Sequence, residues 1–262
     1  MTEKLLMEKD GPIGWIVFNQ PEKRNAVSQE MWQAMPHYVQ DLANDDAIRV
    51  VILRGAGEQA FVAGADISQF KDKRKNMADE EEYRKISAEG SAALTTLQKP
   101  LLAMIHGFCV GGGVGIAITA DFRIASDDAR FGIPAGRLGL GYHYNGMDKL
   151  IKLVGPAYTK EIFFTARTDF SAPDALRMGL VNQVVPKAEL ERFTRDYAQR
   201  IAGNAPLTLR SAKATVEQLQ RSPEQRDLAL LDKLLADCFN SEDYQEGVRA
   251  FSEKRRPQFK GR

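Results

Sequence analysis

The chain has 262 residues, 36 basic against 35 acidic for a net charge of +1, and 44% hydrophobic residues. This balance argues for neither nucleic acid nor an anionic membrane as the main partner, and the length suffices for one large domain or a domain with an appendage. The two cysteines, Cys109 and Cys238, stand far apart and in no motif, so free thiols in a reducing compartment are expected rather than a disulfide framework or a zinc site.

The first residues, MTEKLLMEKDG, carry no long apolar segment and no Arg-rich, acid-poor pattern, and the expectation is a cytoplasmic protein. Leu5 to Glu8 and Ile13 to Phe18, on either side of Asp10-Gly11-Pro12, predict a strand pair around a turn. Asn19 to Asn25 reads as a polar loop and Ser28 as the N-cap of a helix to about Asn44 that Pro36 should kink. Val50 to Leu53 is a short strand ending at Arg54-Gly55-Ala56-Gly57, and Phe61 to Ile67 (FVAGADI) is a second turn of small residues. Lys71 to Lys85 is the most charged part of the chain. It grades into a helix to about Leu97, and a solvated face is the preferred reading over a binding patch.

Function turns on Ile105 to Ala120, IHGFCVGGGVGIAITA. The apolar run Leu101 to Ile105 predicts a buried strand, Gly111 to Gly113 a bare turn, and the small apolar residues beyond it a helix. Three glycines in apolar sequence cost stability, which points to a close approach to the backbone or to a place where a side chain would clash. The first N–H groups of the helix, at the positive end of its dipole, could hold a developing negative charge. Further strands are expected at Phe122 to Ala125 and Arg130 to Phe131, then a glycine-rich passage from Gly132 to Gly146. Helices are predicted at Met147 to Val154, Tyr158 to Thr165, Ala172 to Met178, Ala188 to Gly203, Pro206 to Leu219, Pro223 to Phe239 and Glu242 to Glu253. Strands early and helices late imply an α/β core with a helical extension after about residue 200.

Several chemistries are absent as motifs. No Gly-x-Ser-x-Gly elbow, no P-loop and no Gly-x-Gly-x-x-Gly fingerprint occurs. His37, His106 and His143 have no metal-ligand spacing, so no metal is expected, and His37 and His106 read as structural. What remains is a site made of backbone amides, in which the turns at Ala63 to Ile67 and Gly111 to Gly113 each offer an N–H to one oxygen. Packing is the alternative reason for small residues at such turns.

At these turns the sequence closely resembles the crotonase superfamily, the enoyl-CoA hydratase/isomerase family. The resemblance rests on Asn19-Gln20-Pro21 with Asn25-Ala26, Phe61 to Ile67, Ile105-His106-Gly107 with Gly111 to Gly113, Ala120 to Ala125, Phe131 to Pro134, Ala175 to Val181 and Phe251 to Arg255, in order over nearly the whole chain. It implies a ββα spiral, acyl-CoA-binding core over residues 1–200 and a helical trimerisation region over 201–262, in a homotrimer or a dimer of trimers. It also implies an acyl-CoA substrate, with no separate cofactor, whose thioester oxygen accepts hydrogen bonds from the N–H groups of Ala65 and Gly112. Lys23, Ala26, Ala63, Asp66 and Ile67 would lie along the CoA, and Phe251 and Lys254 would complete its pocket, from a neighbouring subunit in one arrangement. Asp66 as a helix cap and Lys23 and Arg24 as solvated charges are the competing readings.

Two departures bear on mechanism. Hydratases of the family carry one glutamate two residues after the glycine triplet and another directly after Phe-Gly-x-Pro. Here those positions are Gly115 and Ala135, neither of which transfers a proton. Tyr142 falls where decarboxylase members place a tyrosine, and beside it His143 is the residue type suited to acid/base work at neutral pH; the Tyr142-His143-Tyr144 cluster either faces substrate or packs a pocket wall or subunit contact. The expectation is therefore a lyase or isomerase that stabilises a thioester enolate, with decarboxylation of a malonyl-type CoA ester favoured. Hydration or isomerisation of an unusual enoyl-CoA through the Tyr and His groups, and a non-catalytic CoA-binding protein, are the alternatives.

Overall fold

The computed structural model describes residues 2–66 and 77–262. β1 (Leu5–Asp10) and β2 (Ile13–Phe18) form the expected antiparallel pair, turned at Gly11 with φ 55°. In α1 (Gln29–Asn44) the Ser28 hydroxyl accepts the Met31 N–H at 3.4 Å. Where Pro36 was expected to kink it, α1 continues as one element, with Met35, Tyr38, Val39 and Leu42 buried on both sides of the proline; their burial offsets the one hydrogen bond that proline forgoes.

β3 (Val50–Gly55), β4 (Ala60–Val62), α2 (Met77–Thr96) and β5 (Leu101–Ile105) follow. The passage from β5 to the glycine triplet is not a bare turn: β6 (Phe108–Val110) lies between Gly107 and Gly111, both at positive φ. Next come α3 (Gly112–Ala117), β7 (Phe122–Ser126) and β8 (Arg130–Gly132). The two helices expected around residues 147–165 join end to end as α4 (Tyr144–Thr165), broken at Gly155 (φ 78°, ψ 167°) before Pro156. β9 (Phe170–Ser171), α5 (Ala172–Met178) and β10 (Gln183–Val185) complete the sheets, followed by α6 (Leu190–Ala202), α7 (Pro206–Leu219), α8 (Leu228–Phe239) and α9 (Glu242–Ser252).

Successive strands alternate between two sheets. The six-stranded sheet has the order β1-β2-β3-β5-β7-β10 and the four-stranded sheet β4-β6-β8-β9, so β3/β4, β5/β6 and β7/β8 each lay one strand in either sheet as the chain advances. This is the ββα spiral that the resemblance implies. All six residues of β2 are buried, as a strand covered on both faces requires. One face packs Ile16, Phe18, Leu53 and Ala103 against α1, and the other packs Trp15, Ile52, Leu102 and Ile124 against Leu190 and Ala198 of α6. No helix among the described residues is long and apolar enough to cross a membrane.

Candidate active site

The register of the small sheet gathers the site. β4, β6 and β8 run parallel, with Val62 beside Cys109 and Val110 beside Gly132. Their carboxyl ends therefore release three segments at one edge: Ala63 to Asp66, Gly111 to Gly113, and Ile133 to Ala135. Loops at the carboxyl ends of parallel strands are where α/β proteins bind ligands.

The two predicted turns adjoin. A Cβ built on Gly112 would lie 3.7 Å from the Ala65 nitrogen, and Gly64 takes φ 100° to pass beneath. Among the described residues neither the Ala65 nor the Gly112 N–H donates to a protein acceptor, whereas Ala63, Gly64, Asp66 and Gly111 beside them each engage a backbone group. Ala63 N–H donates to Arg24 O at 3.0 Å, Val27 N–H to Gly64 O at 2.8 Å, Asp66 N–H to Val27 O at 2.9 Å, and Gly111 N–H to Gly132 O at 2.8 Å. The loop Gln20 to Val27 thus braces the first turn, and β8 braces the second. Gly112 opens α3, so its N–H is one of those a helix leaves unpaired.

The bracing loop is fixed by a residue that sequence reasoning used only as a family marker. Asn25 is fully buried at φ 56°; its Oδ1 accepts the Gln20 N–H at 3.0 Å, and its Nδ2 donates to Ala56 O at 2.9 Å and Ala60 O at 2.7 Å. An asparagine tolerates the left-handed conformation and supplies donor and acceptor together. A Cβ on Gly55 would collide with the carbonyls of Ala60 and Phe61 and with Asn25 Nδ2, so only glycine fits beneath it.

The glycines of the triplet region differ in kind. A Cβ on Gly113 would enter the Val62 carbonyl, so this glycine allows α3 to press against β4, whereas Gly115 is exposed and a Cβ there would meet nothing within 4 Å. Gly115 therefore leaves room for a long side chain that the sequence does not supply. Ala135 is buried, at the start of a short 3-10 turn, and accepts the Leu140 N–H at 3.1 Å.

Asp66 is buried, and its carboxylate receives Lys23 Nζ at 2.9 Å and Gln20 Nε2 at 3.2 Å; the contact ties the polar loop to the first turn, with Lys23 half-exposed. Ala26 is buried beside this loop and Ala63 is half-buried at its turn. Ile67 lies outside the described residues. Phe251, at the end of α9, is 88% exposed, and Lys254 is exposed at φ 54°; on this chain neither packs against the turns.

The whole aromatic segment is exposed: Tyr142, 37% exposed, sets its ring edge-on against Phe163 of α4, with centroids 4.9 Å apart, while His143 stacks with Tyr144 at 4.1 Å. Tyr144 belongs to α4 rather than to a loop. Partial desolvation against Phe163 raises the Tyr142 pKa above the ordinary phenol value. His106 is buried with Nε2 unpartnered among the described residues, and burial pushes its pKa down. Arg123 donates to the carbonyls of Leu180 and Ala120, and burial lowers its pKa to about 10. Cys109 is fully buried and its thiol pKa is pushed up by burial. No group of three His, Cys, Asp or Glu side chains among the described residues is placed to hold a metal.

A two-sheet spiral whose smaller sheet ends in paired, amide-bearing turns defines an α/β protein of the crotonase superfamily. Residues 8–262 match the family model for enoyl-CoA hydratase/isomerase. A short-chain-enoyl-CoA hydratase of Clostridium acetobutylicum is 36% identical, over 96% of this chain and 95% of that protein, and a carnitinyl-CoA dehydratase of Salmonella typhi is 33% identical over the full length of both. The crystal structure of an enoyl-CoA hydratase/carnithine racemase from Magnetospirillum magneticum superimposes with a TM-score of 0.93 at 30% identity, covering 100% of this chain and 97% of that one. The chain belongs to the enoyl-CoA hydratase/isomerase family.

Proposed function

We propose that this chain transforms acyl-CoA thioesters by holding the thioester oxygen between the N–H groups of Ala65 and Gly112 and stabilising the enolate that forms there. The observation that carries the reading is the pair of adjoining N–H groups with no protein acceptor among the described residues at the carboxyl edge of the small sheet. Donors fixed in place before the reaction need no reorganisation as charge develops. Lys23, Ala26, Ala63 and Asp66 border the first turn and are assigned to the CoA path; Phe251 and Lys254 are assigned to it from a neighbouring subunit. The exposed Leu228, Leu235, Phe239, Val248 and Phe251 of α8 and α9 support a homotrimer or a dimer of trimers.

Decarboxylation of a malonyl-type ester is the favoured reaction. It needs an oxyanion site and a protonating group but no strong base, and Gly115 and Ala135 provide no base. Tyr142, whose phenol is neutral at pH 7, is assigned as the proton donor, with His143 as the second candidate. Hydration or dehydration is the second reading, and the names hydratase and dehydratase carried by the relatives favour it. A panel of crotonyl-CoA, a 3-enoyl-CoA and methylmalonyl-CoA separates the two. Turnover of methylmalonyl-CoA with release of CO2 is expected, and brisk crotonyl-CoA hydration overturns the preference; acyl-CoA binding without turnover of any of the three marks a binding protein.

A further inference from the structure

α9 turns its polar side inward. Its buried residues are Asp243, Glu246 and Ala250, whereas Tyr244, Val248 and Phe251 are exposed. A helix packed on a core buries its apolar stripe instead, so the two inward carboxylates need polar partners. The tail beyond the helix supplies them. Asp243 accepts the Lys260 N–H at 2.6 Å and the Gly261 N–H at 2.8 Å, and Glu246 accepts the Gln258 N–H at 3.0 Å. The Phe259 ring stands 3.6 Å from where a Cβ on Gly247 would lie. Arg49, just ahead of β3, donates to Lys260 O at 3.2 Å. The tail therefore doubles back along α9 and ties it to the core.

The reversal is made at Lys254. α9 ends in a Schellman motif, in which the Lys254 N–H donates to Phe251 O at 3.2 Å and the Arg255 N–H to Ala250 O at 3.1 Å. Lys254 takes φ 54° there, a conformation that suits glycine and costs any residue with a Cβ. It is nevertheless a lysine, exposed and without an ion pair among the described residues. A long cationic side chain in a place where glycine would hold the turn at lower cost points to a role for the ammonium. Glu246 offsets the strain through the next residue. Arg255 donates Nη1–H to Glu246 Oε1 at 2.6 Å and Nη2–H to Oε2 at 3.0 Å, the two-point grip of guanidinium on carboxylate. Arg249, one turn along α9, donates Nε–H to the same Oε2 at 3.2 Å.

We propose that Glu246 is a positioning residue for CoA binding: by gripping Arg255 it holds the Lys254 turn in the geometry that presents the Lys254 ammonium to a phosphate of CoA bound in the neighbouring subunit. The inference rests on the assignment of Lys254 to the CoA path under the proposed function. An ammonium acts as a point charge with no preferred direction of approach. What matters is therefore where the turn carries it, and the turn is fixed on one side by α9 and on the other by Arg255.

The test measures binding of free CoA to the full-length protein by titration calorimetry, with subunit number checked by sedimentation in every variant. In Lys254→Gly the ammonium is gone and the turn is relaxed, so the melting temperature should equal or exceed that of the parent while Kd rises about 10-fold. Glu246→Gln keeps the size of the side chain and loses its charge, and Kd should rise about 5-fold at unchanged subunit number. Arg255→Lys, which keeps the charge without the two-point grip, should move Kd in the same direction and checks the pair from its other side. In Glu246→Gln combined with Lys254→Gly, Kd should match that of Lys254→Gly alone, because an absent ammonium cannot be positioned. A merely structural Glu246 would add its own loss. Parental affinity in both Glu246→Gln and Arg255→Lys, a changed subunit number, or additive losses in the double variant overturn the inference. Parental affinity in Lys254→Gly overturns the assignment of Lys254 to CoA. A parent that does not bind CoA overturns the acyl-CoA reading itself, and this is seen before any substitution is made.

Discussion

At one edge of the small sheet, the Ala63 to Asp66 turn is held by three backbone hydrogen bonds to the Gln20 to Val27 loop, while Tyr142 is placed by a ring contact with Phe163. The first region positions peptide N–H groups, whose location the fold dictates once the strands are in register. The second positions an oxygen at the end of a side chain, whose location depends on a ring supplied by α4. On the proposed function the two regions would have different jobs: the turns would supply what every reaction through a thioester enolate requires, and the phenols what distinguishes one reaction from another. Perturbing the turns should remove activity as a whole, and perturbing the phenols should change its rate and pH dependence.

The largest effect is expected from Gly112→Pro. Gly112 is the first residue of α3, where proline is tolerated because the missing N–H has no helical partner, and a Cβ there meets nothing closer than 3.7 Å. The substitution deletes one donor and little else. Loss of a single oxyanion donor costs about 10²–10³-fold in kcat, with an unchanged circular dichroism spectrum. Parental kcat in this variant would remove the turn from the chemistry and leave the phenols as the only special feature of the edge.

Asn25→Ala tests the same region through stability. It leaves the Gln20 N–H and the carbonyls of Ala56 and Ala60 without their side-chain partner in a fully buried place. Each abandoned buried polar group costs about 1–3 kcal/mol, so a loss of about 2–5 kcal/mol in urea unfolding is expected. A loss under about 0.5 kcal/mol, the range of an ordinary surface change, would mean that the loop does not brace the turn.

What was legible in the sequence follows the same division. β2, β3 and β5 are continuous apolar runs and the helices after residue 170 have caps and periodicity, so local pattern identified them. β6, β9 and β10 have three, two and three residues; strands this short carry no period and exist because partners distant in sequence complete them. The two turns were legible because close backbone approach demands small residues, and the structure brings them together. Asn25 was visible only as part of a motif, since its role depends on carbonyls at Ala56 and Ala60. Tyr83 was invisible inside the charged segment, because a hydroxyl that accepts the Trp32 Nε1–H is a relation between two helices. Asp66 shows the converse. Its place at the turn was expected, but its carboxylate is engaged by Lys23 and Gln20, which neighbouring sequence does not reveal.

The smallest effect probes the wall behind the turns. His106 follows β5 directly, and its carbonyl accepts the Phe61 N–H at 2.8 Å, so it supports β4 just ahead of the Ala65 turn. Its ring is buried with Nε2 unpartnered among the described residues, and its pKa is lowered chiefly by burial, then by Lys187, against the opposing pull of Asp128. A histidine whose folded pKa lies below its unfolded value of about 6.5 contributes stability above that pH, and the contribution is lost as pH falls through the folded pKa. Between about pH 7.5 and 5.5, above the range of ordinary carboxylates, the melting temperature of the parent should therefore decline. In His106→Asn, which cannot take up a proton, the decline should flatten, while kcat at pH 7.5 stays near parental because the two N–H donors keep their braces. Equal slopes in the two proteins would mean that the acid sensitivity arises elsewhere. A flattened slope accompanied by a large loss of kcat would mean that the β5 end and the turn are one mechanical unit, and that the division between backbone turns and side-chain surroundings extends one residue less far than drawn here.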